Sequence, residues 1–477
     1  MKRLEADVLV VGAGSAGLSA ALTASSGGAN VIIMEKLPMP GGYSLMAEGL
    51  FAAESDFQRR EYIGATKEEA FKNHMNASHW RPNGRLIRAF IDKSADTIDW
   101  LMNLGVNFAK VTTMWPGGPR TWHLMEGGGK KLIDTFCAKL LEKKVRLLLG
   151  TPAKQVIFDE NNNISAVIGM DKDGNEVRVD TRVVIIAGGG YANSNEMLSE
   201  YSDMKFKPQS IIPMQQTGDH IKMAWEAGAE RDSLGVYMAI PSIVGESPTS
   251  HLWAAAVQPF LWVNQLGERF CDESISFIFP IAANALAQQK DGVMYTIFDE
   301  NSKRLLIEEG VDVCLGIFIP VATRLVNLDN AIEKGVSEGK AFVANSLNEL
   351  AAKIGVSKDN LNNSVEEMNQ AFEDNHDAIF AKDKRYLKPI KKGKYYALKC
   401  IYQVFTTLGG IKINYKTEVL NTNSEVIPGL YAIGNCAGGV YAWHYEVFTA
   451  GGALGFAVNS GRIAGENCLE FLNKKVD

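Results

Sequence analysis

Two phenols, an imidazole and a carboxylate stand close together in Tyr441-Ala442-Trp443-His444-Tyr445-Glu446-Val447-Phe448, just ahead of the glycine-rich run Gly451-Gly452-Ala453-Leu454-Gly455. A phenol or imidazole can donate to a developing oxyanion or protonate a carbon. That chemistry suits a neutral ketone or phenol, and the flanking aromatics would stack against a flat ring system. Tyr441, His444, Tyr445 and Glu446 are therefore candidate catalytic residues. The competing reading is an aromatic patch that only packs, with His444 a satisfied core histidine.

Residues of this kind need a reactive partner held beside them, and the start of the chain supplies a place for one. Val8 to Val11 is a continuous apolar run, as expected of a strand buried on both faces of a parallel sheet, and Gly12-Ala13-Gly14-Ser15-Ala16-Gly17 follows at once. Gly12 permits the tight turn, Gly14 lets the backbone approach a pyrophosphate, and Gly17 lets the helix Leu18 to Ser25 lie close on the sheet. A second strand, Asn30 to Met34, ends in Glu35, where a carboxylate can accept both hydroxyls of an unphosphorylated ribose. Strand, turn, helix and acid come in the order that dinucleotide binding requires. The fingerprint alone does not separate FAD from NAD. The next segment, Pro40-Gly41-Gly42-Tyr43-Ser44-Leu45-Met46-Ala47-Glu48-Gly49, favours FAD, because small residues let backbone amides line an isoalloxazine edge.

At 477 residues the chain exceeds one ordinary core, so two domains or one with a large insertion are expected. Its 46% hydrophobic and 22% charged composition is globular, and no apolar run reaches the roughly 18 residues of a membrane helix. With no secretory signal at the N-terminus, a cytoplasmic location is expected. A formal charge of -6 without a basic block argues against nucleic acid as a partner. Cys137, Cys271, Cys314, Cys400, Cys436 and Cys468 are scattered, with no C-x-x-C pair, and read as reduced, mostly buried thiols; no metal site is expected.

Beyond the fingerprint, the chain carries Gly41-Gly42-x-Ser44-x-x-Ala47, Val183 to Tyr191 with its Ala187-Gly188-Gly189-Gly190, Thr217-Gly218-Asp219, Gly409-Gly410, Gly429 to Asn435, and Ser460-Gly461-Arg462-Ile463-Ala464-Gly465. On these motifs it resembles, over nearly its whole length, the fumarate reductase and succinate dehydrogenase flavoprotein superfamily, which includes the 3-ketosteroid dehydrogenases. The resemblance implies an α/β fold: a discontinuous Rossmann-like FAD-binding domain, residues 1–236 and 384–477, with an inserted α+β capping domain over 237–383. From Asn327 to Glu373 the pattern turns helical, and Ser346 to Glu349 is spaced as a capping box. Such a cap would close over the flavin and exclude water.

The resemblance also implies the cofactor contacts: Gly12 to Gly17, Glu35, Lys36, Gly41 to Ser44, Ala47 to Gly49, Ala153, Ala187, Gly188, Asp219, Gly434, Asn435, Gly452, Ala453 and Leu454. A helix N-terminus at the C-terminal glycines would stabilise an anionic reduced flavin. Covalently flavinylated relatives carry a histidine near Met39 and Pro40, and none is present, so the FAD is expected to be non-covalent.

Enzymes of this kind move hydride across a carbon-carbon bond, with a positioned acid or base handling the second hydrogen. In the dicarboxylate enzymes histidines and arginines clamp the substrate. Here Gln403 to Leu408 precedes Gly409-Gly410 without histidine, and Thr449-Ala450 stands where the substrate arginine is expected. Lys303 or Arg304, and Glu273, lie near the positions of the proton-delivering arginine and its relay; the other reading of each is a surface charge. By the same resemblance Gly451 matches a glycine whose amide polarises a ketone, with Tyr445 two places from the paired tyrosine. Trp115, Trp122 and His123 fall where relatives approach the active site, and are otherwise core aromatics; Trp253 and Trp262 read as cap core.

The expectation is an FAD-dependent ene-reductase or dehydrogenase acting on a neutral ring-type substrate such as a steroid or isoflavonoid. A reductase of a small unsaturated carboxylic acid is the alternative, and a non-catalytic redox sensor is the rival of another class. With a single dinucleotide fingerprint and no heme or cluster motif, a separate electron donor or acceptor is implied.

Overall fold

The computed structural model describes residues 2–115, 117–314, 316, 319–391 and 393–474. Its contacts divide them into two compact units. One takes the chain up to Tyr201, then Ile212–Met238 and the chain from Thr406; the other takes Ser202–Ile211 and Ala239–Phe405.

The first unit is built on a six-stranded sheet in the order Glu418–Leu420, Val426–Ala432, Val183–Ile186, Val8–Val11, Val31–Met34, Arg146–Leu148. All neighbours are parallel except the first pair. The three central strands are unbroken runs of Val, Ile, Leu and Met, buried along their whole length, as strands covered on both faces must be. The helix that follows the first of them begins at Ser15, three residues earlier than its apolar pattern suggests, and runs to Ser26. It lies against the long C-terminal helix Gly452–Asn473. Small residues make that approach possible: a Cβ on Gly461 would stand 2.0 Å from Ser19 Oγ, and one on Gly465 2.7 Å from Thr23 Cβ. Two smaller sheets flank this core: Lys2–Glu5, Glu176–Asp180, Ile164–Met170 and Ala153–Phe158; and Gly49–Phe51, Trp122–Met125 and Phe108–Thr112.

The second unit centres on the strand Tyr395–Thr407, whose residues 395–401 pair with Val293–Asp299 on one edge while 395–398 pair with Ala341–Ala344 on the other. This ladder is why residues 384–405 pack with the second unit, although the motifs place them with the glycine-rich domain. The stretch expected to be helical from Asn327 to Glu373 is three helices, Leu328–Ser337, Leu347–Ile354 and Lys358–Glu373, interrupted by the strand Ala341–Ala344. Ser346 does cap its helix, accepting from Glu349 N, but the Glu349 carboxylate answers to Asn345 N rather than to Ser346 N. No described helix is long and apolar enough to cross a membrane, and Cys271, Cys400, Cys436 and Cys468 are buried.

Candidate functional site: a glycine cradle and a buried tyrosine pair

The turn after Val8–Val11 is compact because Gly12 adopts φ 109°, with Ala187 O only 2.6 Å from where a Cβ would stand. Gly17 is pressed against the same turn: its Cβ would lie 2.0 Å from Gly12 O. Gly14 differs. A Cβ there would touch only Ser44 Oγ and Gly41 O at 3.7 and 3.8 Å, so the space above it is open. At Gly42, with φ 51°, nothing lies within 4 Å. Gly41 N donates to Ala13 O, Ser15 N to Ser44 Oγ, and Ser44 Oγ to Ser15 Oγ, which ties the two glycine segments into one surface. Gly14 caps the helix from Ser15 without a side chain of its own, and although Ser15 N is taken by Ser44 Oγ, the positive end of the helix opens on this surface and favours an anion.

Glu35 closes one end of this surface. Its Oε2 accepts from Ala13 N at 2.7 Å and its Oε1 from Leu37 N at 2.8 Å. A carboxylate has about four acceptor sites, so Glu35 keeps capacity for a hydroxyl. Burial raises the Glu35 pKa, against the pull of these backbone amides. Beside it, Lys36 Nζ lies 2.6 Å from both Asp219 Oδ2 and Thr217 Oγ1. Burial works against the Asp219 carboxylate, but the hydrogen bonds from Lys36 and Thr217 prevail and hold its pKa below the usual range. His220 is buried against Gly188, and burial lowers its pKa to about 4; the neutral ring donates from Nε2 to Gly189 O at 2.7 Å. Gly434 is packed under Ala16, 3.0 Å from a would-be Cβ, and Asn435 donates from Nδ2 to Thr406 Oγ1 at 3.2 Å. Tyr43 Oη donates to Ile212 O, Gly129 N to Ala47 O, and Met125 N to Glu48 O, while Gly49 faces His123 O and Ala153 is buried opposite Gly169.

The C-terminal glycines are the first turn of a helix rather than its preface: Gly451, with φ 81°, caps the helix from Gly452 and brings no side chain of its own to that end. A Cβ on Gly451 would collide with Trp122 Cδ1 at 2.6 Å, and one on Gly452 would meet Thr449 Oγ1 at 2.9 Å and Tyr441 Oη at 3.2 Å. Tyr445 Oη accepts from Ala453 N at 3.4 Å, and the rings of Tyr441 and Tyr445 are 5.0 Å apart. Leu454 is buried beside them in the sequence. Burial raises the pKa of both phenols and the Glu446 carboxylate raises them further, which outweighs the opposing pull of Ala453 N and Tyr441 on Tyr445, so each is a neutral hydroxyl. Two buried polar atoms border this glycine pair with no hydrogen-bond partner, Tyr441 Oη and Trp122 Nε1. Leaving such groups unpaired is costly, so this is a place where a ligand's polar atoms are wanted.

Glu446, beside the tyrosines, is fully shielded and pairs with a residue that the sequence did not single out: His74 Nδ1 lies 2.8 Å from Glu446 Oε1, both side chains having no exposure. His74 sits in the helix Lys67–Ala77, whose sequence gives no chemical signal beyond a lone histidine. Burial pushes its imidazole toward neutrality, but the Glu446 carboxylate overrides this and raises its pKa, while His74 lowers that of Glu446 against burial.

The other candidates each sit within one of the two units. His444 is half-buried, and burial lowers its pKa; Trp443 is exposed under Arg81. His123 accepts from Ser55 Oγ at 2.8 Å and donates to Thr121 O at 3.1 Å, a neutral core histidine with its pKa lowered by burial to about 4. Trp115 meets Phe448 edge to face at 5.2 Å. In the second unit, Arg304 projects from the helix Glu300–Glu308 with 64% of its side chain exposed. Lys303 is held between Glu300 and Asp329. Glu273 is not a surface charge: it is buried as a bidentate partner of Arg269, with Lys382 at 3.1 Å. Trp253 and Trp262 are core residues with their indoles bonded to Pro241 O and Gln258 O.

The open face over Gly14 and Gly42, two glycine-capped helix ends, the ribose-facing carboxylate and the orphaned polar atoms at Gly451 suit FAD. Known proteins agree. Residues 7–451 match the FAD binding domain family. The chain is 32% identical over 484 residues to a vinyl phenol reductase of Lactiplantibacillus plantarum, covering 98% of this chain and 97% of that one. It is 27% identical to a fumarate reductase (cytochrome) of Shewanella frigidimarina over 98% of this chain and 78% of the other. Its fold superposes on the 3-ketosteroid Δ1-dehydrogenase of Sterolibacterium denitrificans with a TM-score of 0.82 at 21% identity, covering 98% and 99% of the two chains. The chain belongs to the FAD binding domain family and is an FAD-dependent oxidoreductase acting on carbon-carbon bonds.

Proposed function

We propose that the protein reduces a carbon-carbon double bond conjugated to a neutral ring, with a vinyl phenol as the representative substrate. The observation that carries this reading is the composition of the site at Gly451 and Gly452. A buried tyrosine pair and a neutralised His74–Glu446 pair stand where a carboxylate clamp would need guanidinium. Thr449, in place of the arginine, spends its hydroxyl on Glu446. Among the described residues at these glycines an anion finds no bidentate partner, so the site discriminates against fumarate-like substrates. The vinyl phenol reductase relative supports the same class.

FAD, when bound, supplies the hydride for one alkene carbon. The chain's own residues account for the rest. Tyr441 Oη is a neutral hydroxyl, coupled to the Tyr445 phenol but without a well-formed hydrogen bond of its own, and is suited to donate to a substrate oxygen or to deliver the proton that completes the second carbon. Tyr445 is anchored by Ala453 N and fixes the direction in which its neighbour points. The amides opening the helix at Gly452 add a positive end where negative charge develops. Electrons arrive from a separate donor.

Steady-state assays with a reduced viologen as artificial donor test the reading. Vinyl phenol is expected to be turned over with kcat/KM at least about 100-fold above fumarate, the discrimination a missing ion-pair partner supports. Equal or better turnover of fumarate contradicts it, and turnover of no alkene favours a non-catalytic redox role.

A further inference from the structure

Residues 440–450 form neither helix nor strand, and no backbone–backbone hydrogen bond holds them among the described residues. Yet this loop carries both tyrosines of the site. Side chains must therefore hold it, and one chain of contacts dominates. His74 Nε2 lies 2.8 Å from Val440 O, and its Nδ1 2.8 Å from Glu446 Oε1. Glu446 in turn accepts from Phe448 N at 2.8 Å, from Thr449 N at 3.3 Å and from the Thr449 hydroxyl. One imidazole thus ties the start of the loop to its end. Both of its nitrogens face acceptors, so both carry hydrogen, and the ring is an imidazolium. The Tyr441 ring packs over it at 5.9 Å between centroids.

We propose that His74 is a positioning residue for the reaction: bonded at once to Val440 O and Glu446, it sets the loop so that Tyr441 Oη stands unpartnered beside Gly452. This rests on the tyrosine reading of the site given above. The groups facing His74 are Glu446 and Thr449, from the loop's end, with Tyr441 across its ring face; Glu446 also acts on Tyr445 and His444, and His79 on His444. Glu446 is the one charge among them that bears on the imidazole. Loss of its proton removes a donor and loosens the loop without touching the cofactor surface around Gly14.

The test uses the FAD-loaded full chain, wild type and His74→Gln, with Glu446→Gln as the second variant should the first not fold. In the wild type, nitrogen NMR of the histidines is expected to show both ring nitrogens of His74 protonated at pH 7; a bare ring nitrogen overturns the proposal. His74→Gln is expected to lower kcat for vinyl phenol on the order of tenfold to a hundredfold, as loss of orientation does. KM should stay within about twofold and the flavin absorption spectrum should be unchanged. A fall of kcat at high pH is expected in the wild type and should vanish in either variant. An unaltered kcat and pH profile overturns the proposal. If wild type reduces no alkene, the functional reading fails separately. The ring signals of Tyr441, read by NMR in wild type and His74→Gln, then decide: shifted Tyr441 signals in the variant uphold the positioning role, and unshifted ones overturn it.

Discussion

A carboxylate with no exposure is tolerated only if something cancels its charge and fills its lone pairs, and Glu446 has both: His74, two backbone amides and a hydroxyl. Removing one member strands the other. Glu446→Ala is expected to cost about 3–5 kcal/mol, read as a lower denaturation midpoint with an unchanged denaturant slope. The pair also sets a pH window for stability. Folding raises the His74 pKa above 6.5, so its contribution is complete below that value and is lost as pH rises through the folded pKa. Folding lowers the Glu446 pKa below 4.5, so its contribution is complete above that value and is lost as pH falls through the folded pKa. Denaturation midpoints of wild type minus Glu446→Ala should therefore peak between these limits; a difference independent of pH contradicts the assignment. The segment Tyr441 to Glu446 was legible in the sequence because phenols beside glycines are chemically unusual. His74 was not. It is 366 positions from Val440, and a single histidine in a Lys/Glu-rich helix carries no mark of its partner.

Among the elements, the glycine turn was the most readable, because positive φ and close backbone approach can be met by one residue type. Gly12 and Gly17 stand where that reasoning puts them, at a tight turn and a helix contact. The same logic applies to the packing of Ser15–Ser26 on Gly452–Asn473. Helix propensity alone favours Gly461→Ala by about 1 kcal/mol. The new Cβ would lie 2.4 Å from Ala16 O, a backbone atom that cannot rotate away. The clash is expected to win, with a net loss of about 1–3 kcal/mol and weaker FAD retention after desalting, measured by flavin absorbance per chain. A stabilised, fully loaded variant would contradict this. The strand Ala341–Ala344 was missed because four residues inside a helical pattern have no periodicity of their own. They become a strand through pairing with Tyr395–Leu398, which only the fold supplies.

For the whole molecule, cofactor and fold are linked: FAD binds the native chain and not the unfolded one. At free FAD of about 100 Kd this adds about 2.7 kcal/mol, so stripping the flavin should lower the thermal midpoint and restoring it should reverse the shift. The described residues divide into two units, and the limit near Phe405 depends on a ladder that runs through Tyr395–Thr407, a pairing that no local sequence pattern reveals. On the proposed reading the substrate, by contrast, is selected by charge at a few buried positions. Anaerobic photoreduction of the bound FAD, followed by rapid mixing with vinyl phenol or with fumarate, isolates that selection from the electron donor. Prompt reoxidation of the flavin by vinyl phenol, with fumarate leaving it reduced, is the predicted result; reoxidation by fumarate alone would contradict the account.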